Sequence, residues 1–350
     1  MSLRELGIEY KRLGDVLVAT VRANPKNREE LRAIVDELRQ HISEECIAGP
    51  PFCVFQYVTS IKDGFDVEVG FPVSQPVEVD EIRTRVFPAM KVLSLVHKGP
   101  AEELRECYRK LYGRAAEHGL ISDEFAREVY LADDAVEVQF VRHDWNGLLA
   151  RGLNRVLGQE ARQQVMVGDE ALTVESTVDE RFQWVKAVME RLDRLAAEDQ
   201  KYDVVSSCAH VFPREQIAKL KAIYEDTKAR TDDPWQAVDA VIEFMDTDPG
   251  WGEGPRRDGR VIYSSKAPRD PQGYANAQDE IEKRKAYCFC PLVRTHLDQG
   301  MPLTFCYCGA GWYRQQWEGA IGQPVRIEIV SSVLQGDDVC QFAIHLPDEL

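Results

Sequence analysis

Val67-Glu68-Val69-Gly70-Phe71 returns roughly 70 residues later as Val136-Glu137-Val138-Gln139-Phe140, and this echo decides the fold of the first part of the chain. Glu29-Glu30-Leu31-Arg32 recurs as Glu102-Glu103-Leu104-Arg105 at a similar offset. Ahead of each of these lies an apolar, strand-like run, Val16-Leu17-Val18-Ala19-Thr20-Val21 and Val92-Leu93-Ser94-Leu95-Val96. Matched order at nearly equal spacing marks an internal duplication.

Each copy reads strand, helix, strand, strand. In the first, Leu31, Ile34, Val35 and Leu38 at core-facing spacing predict a helix over residues 28–42. Asn27 is its N-cap, and Glu29 and Glu30 meet the helix dipole. In the second, Pro100 is placed in the first turn, where a missing N–H is tolerated, and Leu104, Cys107, Tyr108 and Leu111 form the apolar stripe. The closing hairpins are predicted over residues 53–58 with 65–71 and 128–131 with 136–141. Lys62-Asp63-Gly64 and Asp133-Asp134 supply the turns.

With its two repeats, the Gly70-Phe71-Pro72-Val73 strand end and Arg127-Glu128-Val129-Tyr130-Leu131 before an acidic turn, the stretch over residues 8–144 resembles the GyrI-like effector-binding domain. The resemblance implies a tandem pair of βαββ units with a ligand cleft at their pseudo-twofold. It also implies a small-molecule pocket with aromatic walls and one acidic residue, and it sets Glu128 and Tyr130 at the pocket positions. Residues two apart on a strand share a face, so Glu128 and Tyr130 point together. Phe55 and Tyr57 take the pseudo-symmetric positions of the first repeat. Three aromatic surfaces and a carboxylate suit a hydrophobic, cationic or polarised aromatic ligand, met by ring faces and charge. Apart from the resemblance, the same residues also read as a solvated strand glutamate among core aromatics.

The resemblance implies one of two behaviours. The protein is a sensor or a sequestering, multidrug-binding resistance factor. Alternatively, it hydrolyses strained, cyclopropane-bearing electrophiles, with Glu128 as general base and Tyr130 or Tyr57 donating to the oxygen that gains charge. The first strand begins within a few residues of Met1, which leaves no room for a preceding helix-turn-helix and disfavours a direct transcription factor.

Composition narrows the partners. The 350 residues hold 43 Lys and Arg against 59 Asp and Glu, a net charge of -16, and both halves are acidic. No cationic stripe offers itself to phosphates, so no nucleic acid partner is expected. Apolar runs fall far short of the ~18 residues of a membrane span, and the N-terminus lacks a secretory core. The nine Cys then read as reduced thiols or metal ligands in a cytoplasmic protein. A chain of this length divides into two domains, here 1–145 and 146–350. Its oligomeric state is open.

The second half reads as a helix-rich α+β domain. Helices are predicted over about 148–157, 182–195, 214–228 and 234–245, the last opened by Asp233 and Pro234. The Gly- and Pro-rich residues 249–275 read as a long loop. A helix over 312–321 stops at Gly322. Val325, Ile327, Ile329 and Val339, Phe342, Ile344 flank Gly336-Asp337-Asp338 as a closing β-hairpin. From Gly311-Trp312-Tyr313 to Cys340-Gln341-Phe342 the tail resembles the end of 4-vinyl-reductase-type small-molecule-binding domains, implying a second sensing domain.

The chemistry of this half lies in Cys288-Phe289-Cys290 and Cys306-Tyr307-Cys308, two C-x-C pairs fifteen residues apart. In an extended chain both thiols of a pair face one side, and two antiparallel segments would close four thiolates around zinc, or an iron–sulfur cluster. Cys208 and His210 form another such pair that could replace one of them. The same cysteines, beside Tyr287, Phe289, Phe305 and Tyr307, also suit a buried strand, and Cys340 reads as core. His210, His296 and His345 have no neighbours that mark a triad. Gly250-Trp251-Gly252-Glu253-Gly254 lacks the preceding strand of a phosphate loop, so no nucleotide cofactor is expected.

Overall fold

Val18 and Ala19 are fully buried at the middle of β2 (Val16–Ala23), the strand that leads into the helix of the first repeat. The computed structural model describes residues 3–55, 65–77, 79, 81–100, 103–131, 135–212, 214–231, 233–247 and 251–350. The chain divides into two units, Met1–His143 and Asp144–Leu350.

In the first unit, β1 (Glu9–Leu13) and β2 lead into α1 (Arg28–Gln40), β3 (Phe52–Phe55) and β4 (Val67–Pro72). The second repeat follows as β5 (Arg83–Phe87), β6 (Met90–Lys98), α2 (Leu104–Glu117), β7 (Ser122–Tyr130) and β8 (Ala135–Arg142). The strands form one curled antiparallel half-barrel in the order β1-β6-β8-β7-β3-β4-β2-β5. Exchanging the repeats and reversing the order restores it, so the pseudo-twofold falls between β7 and β3. There Cys53 stands opposite Glu128 and Val54 opposite Arg127.

The fold class agrees with the expectation of a tandem βαββ repeat followed by helix-rich α+β structure. Two strands went unforeseen: β1 pairs with β6 and β5 with β2, so each repeat lends its leading strand to the other. Both are sheet edges, where charged side chains discourage further pairing and erase the apolar alternation that marks a strand.

The helices pack as their apolar stripes require. Asn27 caps α1 by accepting from the N–H groups of Glu29 and Glu30, while Leu31 and Leu38 bury against Val67, Val69 and Phe71. Leu104, Cys107 and Leu111 of α2 bury with Leu93, Val138 and Phe140. Pro100 lies ahead of α2 rather than in its first turn; its carbonyl accepts from the Glu103 N–H at 3.1 Å. Tyr57, Val58, Lys62-Asp63-Gly64 and Asp133-Asp134 lie outside the described residues.

The second unit runs α3 (Trp145–Val156), α4 (Gly158–Val165), α5 (Val178–Leu195), α6 (Glu198–Ser206), α7 (Arg214–Lys228) and α8 (Pro234–Met245). Then come β9 (Glu253–Asp258), β10 (Val261–Ser265), α9 (Pro271–Asn276), α10 (Glu280–Tyr287), α11 (Tyr307–Ile321), β11 (Arg326–Ser331) and β12 (Gln341–His345). The expected loop over 249–275 is thus largely ordered structure. Gly259, at φ 59°, is in the tight turn between β9 and β10, and Ile262 of β10 pairs with Ile344 of β12. The expected hairpin of β11 and β12 is present and is the outer part of a four-stranded sheet, β11-β12-β10-β9. Helix α11 packs tightly on α6, for a Cβ built on Gly311 would fall 1.9 Å from the Ser206 carbonyl oxygen.

The C-x-C pairs are not on strands. Cys288 ends α10, its N–H bonding the Arg284 carbonyl, while Cys306 closes a 3-10 turn and Cys308 begins α11. In helical backbone residues two apart diverge, so for Cys306 and Cys308 the shared face expected of an extended chain is lost. Among the described residues no helix is long and apolar enough to cross a membrane.

Candidate functional site

Strand β7 carries Glu128 and Tyr130 on one face, beside the pseudo-twofold. Glu128 is fully buried. A lone carboxylate there would be costly, and the two helices supply its partners. Arg28, the first residue of α1, donates from Nη2 to Glu128 Oε1 at 2.7 Å and from Nη1 to Oε2. Tyr108 on α2 donates to Oε1 at 2.8 Å, and the Tyr130 hydroxyl donates to Oε2 at 2.8 Å. Each carboxylate oxygen therefore accepts two hydrogen bonds, which fills the acceptor sites of the group.

Rings flank the cation of this cluster. The Arg28 guanidinium carbon stands 5.2 Å from the Phe55 centroid and 5.9 Å from that of Phe65, and the two rings meet edge to face at 5.8 Å. Phe55 lies on β3 opposite Ala126 of β7. Tyr108 leans on Tyr112, which meets Phe140 edge-on at 5.0 Å.

Electrostatics hold the cation and the two phenols of the cluster in one protonation state. Burial works against the Arg28 charge, but the hydrogen bonds and charge of Glu128 outweigh it and the pKa is raised. Burial, and then the charge of Glu128, push the Tyr108 and Tyr130 hydroxyls far up, so both remain donors. Burial likewise pushes the Cys53 thiol up to about 12. The cluster is a fixed arrangement of one ion pair and two phenol donors.

Of the residues singled out from sequence, Glu128, Tyr130 and Phe55 come together, and Tyr57 lies outside the described residues. Arg28, Tyr108 and Phe65 were missed. Tyr108 sits within an apolar stripe and reads as core; Arg28 reads as an ordinary charge in a first helical turn. The available signal was indirect: a buried glutamate requires a cationic partner.

In the second unit, Cys288, Cys290, Cys306, Cys308 and Cys340 all pack against the core that contains the buried Cys208. Cys306 lies 3.5 Å from the Ser332 hydroxyl, and Cys308 Sγ donates to the Cys208 carbonyl at 3.4 Å. Burial, then neighbouring thiols, push Cys288 up to about 12; burial likewise pushes Cys290 and Cys308 up to about 11. Among the described residues no group of three or more His, Cys, Asp or Glu side chains is placed to hold a metal ion. His210 borders this region, with its carbonyl accepting from Gln315 at 2.7 Å. His296 stacks on Phe182 and contacts Asp179 at 2.7 Å, and His345 contacts Glu328 at 3.0 Å.

A duplicated βαββ half-barrel with a buried, fully partnered carboxylate at its pseudo-twofold defines the first unit as an effector-type binding domain. Residues 8–141 match the family model of the GyrI-like small molecule binding domain, and this part of the chain is a domain of that family. Residues 263–350 match a family of unknown function, DUF6144, which lends no support to the vinyl-reductase resemblance of the tail. No curated protein matches the sequence.

Among solved structures, the C-terminal domain of EcmrR is 19% identical, with 39% of this chain and 96% of that one covered and a TM-score of 0.34. A hydrolase from Listeria innocua is 14% identical, over 39% of this chain and 90% of that one, at a TM-score of 0.30. SAV2435 bound to tetraphenylphosphonium is 7% identical, over 40% and 96%, at 0.31. Likeness at this level decides neither ligand nor activity.

Proposed function

We propose one role for each unit. The first binds a hydrophobic, aromatic small molecule beside Glu128, Arg28, Tyr108 and Tyr130, with Phe55 and Phe65 as ring surfaces, and serves as a sensor or sequestering protein. The observation that carries this reading is a buried charged cluster flanked by the rings of Phe55 and Phe65 in a domain of a small-molecule-binding family. Aromatic rings offer large contact area at small entropic cost, and the fixed donors orient what stacks on them.

Binding is favoured over hydrolysis by the state of Glu128. A general base needs a free lone pair facing a water, and both oxygens already accept two hydrogen bonds. Hydrolysis would require one of these partners to leave.

Titration calorimetry with acetylnaphthalene, a neutral aromatic acceptor, tests the reading. Saturable binding is expected, weakened about tenfold, or about 1.4 kcal/mol, by Phe55→Ala. Binding that ignores the Phe55 change, or no binding of any aromatic probe, overturns it.

In the second unit, Cys288, Cys290, Cys306 and Cys308, with Cys208 or His210 as substitutes, hold a structural zinc. Support comes from five cysteines gathered on one core and from the chemistry of thiolate donors. Holding an ion calls for the side chains to turn towards a common centre.

A further inference from the structure

The positive charge beside Glu128 belongs to the protein. A ligand cation drawn to this carboxylate would sit against Glu128 and over the rings of Phe55 and Phe65. That place is taken by the Arg28 guanidinium, paired with both carboxylate oxygens and 5.2 Å and 5.9 Å from the two ring centroids. The Glu128 acceptor sites are all in use, so an incoming cation finds no free anion and meets a like charge. The Arg28 side chain is 30% exposed, whereas that of Glu128 is wholly buried, so an arriving molecule meets the guanidinium first.

The guanidinium also keeps donors in reserve. It carries five N–H groups. Nη1 bonds Glu128 and reaches the Tyr130 hydroxyl at 3.3 Å, and Nη2 bonds Glu128. Among the described residues, Nε–H and the second Nη2–H have no partner. Unused donors on a partly exposed cation beside two aromatic rings fit a flat ring bearing an acceptor, best an anionic one.

On the reading that this unit binds aromatic small molecules, we infer that Arg28 is its specificity-determining residue: it fills the cation position from within and selects aromatic ligands that bring a carboxylate or similar anionic acceptor. Cationic aromatics are excluded unless Arg28 is removed or displaced. The sensing site is thereby turned from a cation trap into a receptor for aromatic acids.

The test uses the full chain and three naphthalenes that differ only in the head group: carboxylate, acetyl and trimethylammonium. Wild-type protein is expected to bind the carboxylate at least tenfold more tightly than the trimethylammonium compound. Arg28→Gln is expected to reverse that order, and Arg28→Gln with Glu128→Gln to abolish the gain for the cation. Should the single variant not fold, the wild-type ratio and the double variant, which leaves no unpaired charge, decide. Equal or tighter wild-type binding of the trimethylammonium compound overturns the inference while the binding reading stands. Failure of all three compounds to bind overturns both.

Discussion

Arg28 and Glu128, a hundred residues apart in sequence, meet as a two-point ion pair that joins the helix of the first repeat to the third strand-forming segment of the second. The pair is lopsided: the carboxylate is sealed off, and the guanidinium keeps one side towards solvent. That asymmetry has measurable consequences.

Removing either partner leaves the other charge behind, and the cost depends on which. Arg28→Met strands a buried carboxylate and is expected to destabilise the first unit by about 3–5 kcal/mol. Glu128→Gln strands a cation that can turn to water, so its cost is expected to be smaller. Urea unfolding of both variants and of the double variant measures this; a larger loss for Glu128→Gln would contradict the described burial.

Tyr108→Phe and Tyr130→Phe each remove one donor from the buried carboxylate. A hydrogen bond to a charged group contributes about 1.5–3 kcal/mol, so each variant is expected to lose that much stability while keeping its secondary structure. Thermal melts followed by circular dichroism check it, and unchanged midpoints would show that the bonds do not form in solution.

Glu137 on β8 governs part of the acid response. Burial alone would raise its pKa, but hydrogen bonds from Lys11, Gln139 and Ser94 and the Lys11 charge hold it below the ordinary range. A lowered folded pKa stabilises the fold above the unfolded value of about 4.3, and that contribution is lost as pH falls through the folded value. Wild-type protein is therefore expected to melt higher than Glu137→Gln at neutral pH, with the gap closing as pH falls below the ordinary carboxylate range. A gap independent of pH would count against this account.

Gly311→Ala places a methyl group against the Ser206 carbonyl, 1.9 Å away before relaxation. Backbone cannot yield cheaply there, so a loss of about 1–3 kcal/mol is expected in the second unit, by differential scanning calorimetry. An unchanged melting point would mean that α11 and α6 pack less closely than described.

For the thiols, elemental analysis of protein purified without chelators is expected to give about one zinc per chain, abolished in Cys290→Ser with Cys306→Ser. Metal-free protein with native stability would end the zinc proposal.

Much of the architecture was legible in the residues. The repeated Val-Glu-Val and Glu-Glu-Leu-Arg segments revealed the duplication, and helices α7 and α8 begin and end where caps and apolar spacing put them. These features are local: a cap or a 3.6-residue stripe acts through neighbours within one or two turns. Strands β1, β5, β9 and β10 were not legible, because an edge or Gly-flanked strand is specified by the partner it pairs with rather than by its own pattern. The extended backbone read for the second Cys pair was not legible for a related reason: Cys306 and Cys308 lie in helical turns that packing against the core determines.

Sequence alone determined that Glu128 and Tyr130 share a strand face and that two βαββ units would pair, since the two-residue period of a strand and the repeat itself suffice for both. Only the tertiary structure decided what Glu128 does. Its partners Arg28 and Tyr108 come from two different helices, and neither has any sequence neighbour that marks it. Burial removes water from the carboxylate and so demands partners, but which helix supplies them follows from how the curled sheet brings α1 and α2 over β7.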